Sequence, residues 1–225
     1  MMKRRSSRVE KRFKSLTRLL AEELKKAIVG GKLAPGERLS EASLAATLEV
    51  GRVPMRAALR RLEAEGYATF LSNSEVTVSK PTTEEVEDYY MIASALEGLA
   101  ARLAVERALP EELSRLRELH QLLKEACQRE DPEQYFEANS NFHRFIGEMA
   151  RNERLYRMID QMRQEIQRTR ILSLRLPHRL EYSMREHDQI LDAFLKQNAQ
   201  LAETVMVKHL KNQMQAIKKV LAGES

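Results

Sequence analysis

The chain has 225 residues, 43% of them hydrophobic, enough to build one large core or two ordinary ones. Trp is absent and aromatics are only 5%, with Leu, Ala, Glu, Arg and Lys abundant, which suits packed helices rather than a sandwich or barrel. No apolar run approaches the ~18 residues that span a bilayer, and the basic start MMKRRSSRVEKRFK leads into no apolar signal region. A single cysteine, Cys127, excludes an intrachain disulfide, so a reducing, cytoplasmic setting is expected.

The formal net charge of +5 is unevenly placed. The first 80 residues carry 17 Lys and Arg against 9 Asp and Glu, whereas the remainder carries 21 against 24. A basic small part joined to a mildly acidic larger one points to nucleic acid as the partner of the first and something else as the partner of the second.

In chain order, a basic flexible arm is expected over residues 1–8. Phe13, Leu16, Leu20, Leu24, Ala27 and Ile28 then recur at helical steps until Gly30-Gly31 stops them. Pro35-Gly36 makes a turn, and Ser40 caps a short second helix reaching Leu48. Gly51 to Val53 turns again, and Pro54 suits the first position of a third helix ending at Gly66. Two short β-prone runs, Tyr67 to Leu71 and Val76 to Val78, read as a hairpin. Beyond Lys80-Pro81, Thr82 and Glu85 form a capping box, and six helices are expected before the last residues. The fold class is therefore mainly α: an N-terminal winged helix-turn-helix with a small β-hairpin over 9–79, then a C-terminal all-α antiparallel helical bundle over 80–222.

The third helix places Met55, Ala58, Leu59 and Leu62 on one face and Arg56, Arg60 and Glu63 on another, with Arg52 just ahead. Guanidinium groups near the start of such a helix are suited to grip phosphates or guanine edges in a major groove. The segments Ala34-Pro35-Gly36-Glu37-Arg38-Leu39-Ser40-Glu41, Leu44-Ala45 and Arg52-Val53-Pro54-Met55-Arg56-Ala57-Ala58-Leu59-Arg60-Arg61-Leu62-Glu63-Ala64-Glu65-Gly66 closely resemble the GntR family of regulators. The resemblance implies operator-DNA contacts from Arg38, Arg52 and Arg56, and the DNA-facing set is completed by Val53, Arg60 and Asn73. The chain differs from the usual pattern at Gly51 (commonly Ser), Val53 (commonly Thr) and Glu75 (commonly a wing glycine). Val53 lacks the hydroxyl that would meet a phosphate.

In the second part, His143, His187 and His209 each lie within three or four positions of apolar residues, so all three are expected to face inward. An inward histidine is either a hydrogen-bonded core residue or a metal ligand. The stretches Leu96-Glu97, Asn141-Phe142-His143 and Glu186-His187-Asp188-Gln189-Ile190-Leu191, with His209 twenty-two residues on, resemble the FCD ligand-sensing and dimerisation domain that accompanies one GntR subfamily. That resemblance implies one divalent metal of the Zn or Ni type held by three histidines and an acidic residue. The matching histidines are His143, His187 and His209, and Asn139 stands where the acid is usual. A neutral amide leaves the centre one negative charge short, which favours an anionic small-molecule effector on or beside the metal. Ala93 replaces an arginine that often grips carboxylate effectors, and His120 and His178 are read as surface residues. A palindromic operator and a homodimer are expected, because one recognition helix reads few base pairs. The function reached is a sequence-specific transcription regulator, of repressor type. Two other classes fit less well: a metal-dependent enzyme, because no carboxylate base sits at HExxH-like spacing, and a non-specific architectural DNA-binding protein, for which an inward polar cluster has no use.

Overall fold

The computed structural model describes residues 2–72, 75–174 and 176–223. Asn73, expected at the wing, lies outside the described residues. The chain divides into two compact units, Met1–Lys80 and Pro81–Ser225.

The first unit contains α1 (Met2–Val29), α2 (Glu41–Thr47), α3 (Arg52–Ala64), β1 (Ala68–Phe70) and β2 (Val76–Val78). Its core gathers Leu20, Leu24 and Ile28 of α1, Met55, Ala58, Leu59 and Leu62 of α3, and Tyr67, Val76 and Val78 of the hairpin. Two expectations change here. The helix begins at Met2 rather than after a flexible arm, because Lys, Arg and Glu are good helix formers and neither Gly nor Pro interrupts residues 2–29. The apolar stripe of α1 is buried only from Leu20 onward, with Phe13 and Leu16 exposed.

The hairpin pairs Ala68 with Val78 and Phe70 with Val76. Leu71 falls just past β1, where its N–H donates to the Glu75 carbonyl at 2.9 Å and closes the turn. On the other side of β2, Val78 N–H donates to Glu37 at 2.8 Å and Leu39 N–H to Val76 at 2.7 Å, so the segment carrying Arg38 is pinned to the wing.

The second unit contains six helices among its described residues: α4 (Thr83–Glu106), α5 (Pro110–Gln128), α6 (Pro132–Met149), α7 (Glu153–Ser173), α8 (Arg179–Leu195) and α9 (Ala199–Ala222). Local signals set their starts. Thr82 and Glu85 complete the capping box, the Asp131 carboxylate accepts from Glu133 and Gln134 N–H groups, and Asn198 caps α9 through Leu201 N–H. Short connections turn the chain back at each step, producing the antiparallel bundle.

Helix α4 runs along α9 over most of its length. Val86 and Tyr90 of α4 pack with Leu210 and Ile217 of α9. The seam is tight at Gly98, where an added Cβ would stand 2.7 Å from Val207 Cγ2. A helical Gly→Ala exchange normally stabilises by about 1 kcal/mol. Here the rigid valine cannot yield, so Gly98→Ala is expected to lower the melting temperature, with overpacking costing about 1–3 kcal/mol. A raised melting temperature in a thermal denaturation experiment would show that α4 and α9 are not in this contact.

Candidate functional site

Helix α3 begins at Arg52, two residues before the position that Pro54 suggested. Proline is tolerated there because the first-turn N–H groups have no intrahelical acceptor in any case. Arg52 and Val53 are thereby part of the helix rather than of the turn ahead. Arg52 is exposed, and Val53 is 72% exposed, unusually open for a valine. Arg56 follows one turn after Arg52 on the same face, half-buried, with Nη1 3.5 Å from Glu41 Oε2 on α2. Arg38 is exposed beside the wing. Arg60 is differently engaged: Nη1 donates to Glu63 at 2.8 Å and the guanidinium lies 3.7 Å from the Phe70 ring centre. Its contacts tie recognition helix to wing, a stacking that also favours a cation over an aromatic face.

The three expected histidines meet in the second unit. His143 of α6, His187 of α8 and His209 of α9 are almost wholly buried, and one ligand nitrogen from each lies within 4.8 Å of the other two. His143 Nδ1 is 2.9 Å from Glu97 Oε2 of α4, an oxygen that Arg163 of α7 also grips. His187 Nδ1 donates to the Ser183 carbonyl at 2.7 Å. His209 Nδ1 is 2.7 Å from Glu186 Oε2 of α8, which also accepts from Arg179, while Asn212 donates to Oε1. Burial alone would raise the pKa of Glu186, but the His209 and Arg179 contacts outweigh it and bring it down to about 2.

These Nδ1 partners fix the tautomers. Carboxylates and carbonyls only accept, so in each neutral ring the proton sits on Nδ1 and the lone pair on Nε2. The Nε2 atoms of His143 and His187 are 3.3 Å apart, so two lone pairs point into one small space. That is also the spacing of two nitrogens each about 2.0–2.1 Å from one tetrahedral zinc. Asn139, one turn before His143, is 2% exposed, and neither its Oδ1 nor its Nδ2 has a hydrogen-bond partner among the described residues. A buried amide in that condition is costly without a ligand.

Ala93 is buried in α4 as a small core residue, and the guanidinium reaching this centre comes instead from Arg163. No role for Glu97, Arg163 or Arg179 follows from the sequence: Glu97 and Arg163 meet across helices, and Arg179 reaches Glu186 from seven residues away on its own helix, outside the usual i,i+3 and i,i+4 spacings. His120 corrects an expectation. It is buried beside Phe142, with Nε2 3.0 Å from Asp188 Oδ1 but out of line for a hydrogen bond. Burial lowers its pKa against the pull of Asp188. Apolar residues on its own helix did not reveal this, since the cover comes from α6. His178 is exposed as expected. On the outer side of Glu186, a cavity of about 510 Å³ is walled by Leu176, Arg179, Tyr182 and Ala216.

Residues 16–78 match the family described as "Bacterial regulatory proteins, gntR family", and residues 88–212 match the FCD domain. The chain belongs to the GntR family. Among curated relatives, the HTH-type transcriptional regulator YdhC of Bacillus subtilis is 30% identical over 200 residues, covering 88% of this chain and 89% of that one. The HTH-type transcriptional repressor RspR of Escherichia coli is 26% identical over 198 residues, covering 88% and 86%. Of solved structures, E. coli McbR/YncC superposes with a TM-score of 0.70 at 24% identity, covering 91% of this chain and 98% of that one, so the fold is shared. This GntR protein is accordingly a transcription regulator with a helix-turn-helix unit and an FCD domain, not an enzyme. No helix among its described residues is long and apolar enough to cross a membrane.

Proposed function

We propose that this regulator binds palindromic operator DNA as a homodimer and changes its operator affinity when a small anionic effector occupies a divalent-metal centre in its FCD domain. His143, His187 and His209 would hold the ion through Nε2, and the Asn139 amide oxygen would complete the set. The observation that carries the metal reading is the pair of lone pairs converging at 3.3 Å while every Nδ1 is fixed by an acceptor. Carboxylate–histidine–metal arrangements use this same outer layer to orient the ring and raise its basicity. Three imidazoles and an amide bring no negative charge, so a bound divalent ion keeps its full charge and attracts an anion. The effector acts by binding one dimer conformation better than another, since only differential affinity shifts such a balance. Repression is the sense we assign, in keeping with the relative RspR.

On the DNA side, Arg52, Val53 and Arg56 of α3, with Arg38 beside the wing, form the reading face, and Arg60 supports the helix against Phe70. A bidentate arginine contact is worth about 1–3 kcal/mol of discrimination. Arg52→Ala and Arg56→Ala are each expected to weaken binding to an operator selected from a random DNA pool by roughly tenfold or more. Wild-type affinity in both variants, measured at near-physiological salt, would remove α3 from the interface.

For the metal centre, untagged protein is expected to bind one zinc per chain, and His143→Ala, His187→Ala and His209→Ala each to lose it. Elemental analysis checks this; equal zinc content in all four proteins would contradict the assignment.

A further inference from the structure

The three imidazoles are not equivalent. The lone pairs of His143 and His187 are directed at each other, whereas His209 Nε2 lies 2.6 Å from Gln213 Nε2, one turn further along α9. The direction of that bond is settled by what lies on either side. The Gln213 atom facing the ring is its amide nitrogen, which only donates, so His209 Nε2 accepts, and the ring proton lies on Nδ1, toward Glu186. The Gln213 oxygen is then turned to the other side, where Tyr90 O–H of α4 donates to it at 3.5 Å. Tyr90, Gln213 and His209 thus donate in one direction along a chain that ends on the Glu186 carboxylate, with Gln213 5% exposed and Tyr90 2% exposed.

A single lone pair cannot serve both Gln213 and a metal ion. We infer that Gln213 is a latch on the histidine centre: its amide N–H occupies the His209 lone pair until an ion takes it, and its release is registered at Tyr90 on α4. This rests on the metal reading of the previous subsection. Loading the centre breaks the Gln213–His209 bond and makes the amide turn within a close-packed seam, beside Val86, Leu210 and Ile217. Because α4 is the first helix after the Lys80–Pro81 junction, the change falls on the helix joined by the chain to the DNA-binding unit. The latch also sets affinity, since metal binding must first offset the hydrogen bond it displaces.

Cobalt(II) titration of the full chain, followed by its visible absorption, tests this in wild type, Gln213→Leu and Gln213→Met. Both variants lack the competing donor at similar volume, and the second guards against a packing failure in the first. Each is expected to bind cobalt about fivefold more tightly than wild type, the worth of one net hydrogen bond. Tighter binding is a gain that mere structural damage does not produce. Unchanged or weaker binding in both variants, with wild type binding normally, overturns the latch alone, and weaker binding would make Gln213 a ligand instead. If wild type and variants all bind no cobalt, the metal reading falls and the latch falls with it.

Discussion

The FCD domain is organised around one constraint: three buried imidazoles whose Nδ1 atoms are each committed to an acceptor, leaving their Nε2 lone pairs directed inward. In neutral rings the His143 and His187 Nε2 lone pairs face each other at 3.3 Å, a repulsion that a proton or a metal ion between them relieves. Each helix that touches the centre supplies either a ring or the group that orients one. Helix α6 brings His143 and Asn139, α8 brings His187 with Glu186, and α9 brings His209 with Gln213, while α4 and α7 contribute Glu97 and Arg163. Two carboxylates in the outer layer are themselves held by arginines, Glu97 by Arg163 and Glu186 by Arg179. The arginines offset the charge that burial would otherwise make costly.

The fold delivers these groups by tight packing rather than by loops. Close approach of α4 and α9 at Gly98 sets the separation across which Tyr90 meets Gln213, and α4 also presents Glu97 to His143 of α6. Sites built on helices hold their geometry better than sites on loops. In the DNA-binding unit the same economy appears: Arg60 spends its side chain joining α3 to the wing, and the exposed Arg52 and Val53 are left at the helix start.

Much of this was legible in the sequence because local signals were strong. Ser40 and Thr82 with Glu85 announce helix starts by side-chain chemistry that acts within three residues. The inward face of the three histidines followed from their apolar neighbours. What was not legible depends on contacts between helices. His187 follows Glu186 directly, yet the carboxylate serves His209, twenty-three residues away, and no spacing rule on one helix encodes that. His120 reads as a surface residue until Phe142 covers it. The start of α3 also shifted by two residues, because a proline within the first turn is compatible with several helix origins.

The most direct test of the central claim is nitrogen-15 NMR of labelled histidine in the full chain, recorded without metal and during addition of one equivalent of zinc. The three buried rings are expected to carry their proton on Nδ1 in the metal-free protein, and all three Nε2 resonances to move together as zinc binds. Protons found on Nε2, or Nε2 resonances indifferent to zinc, would contradict that claim.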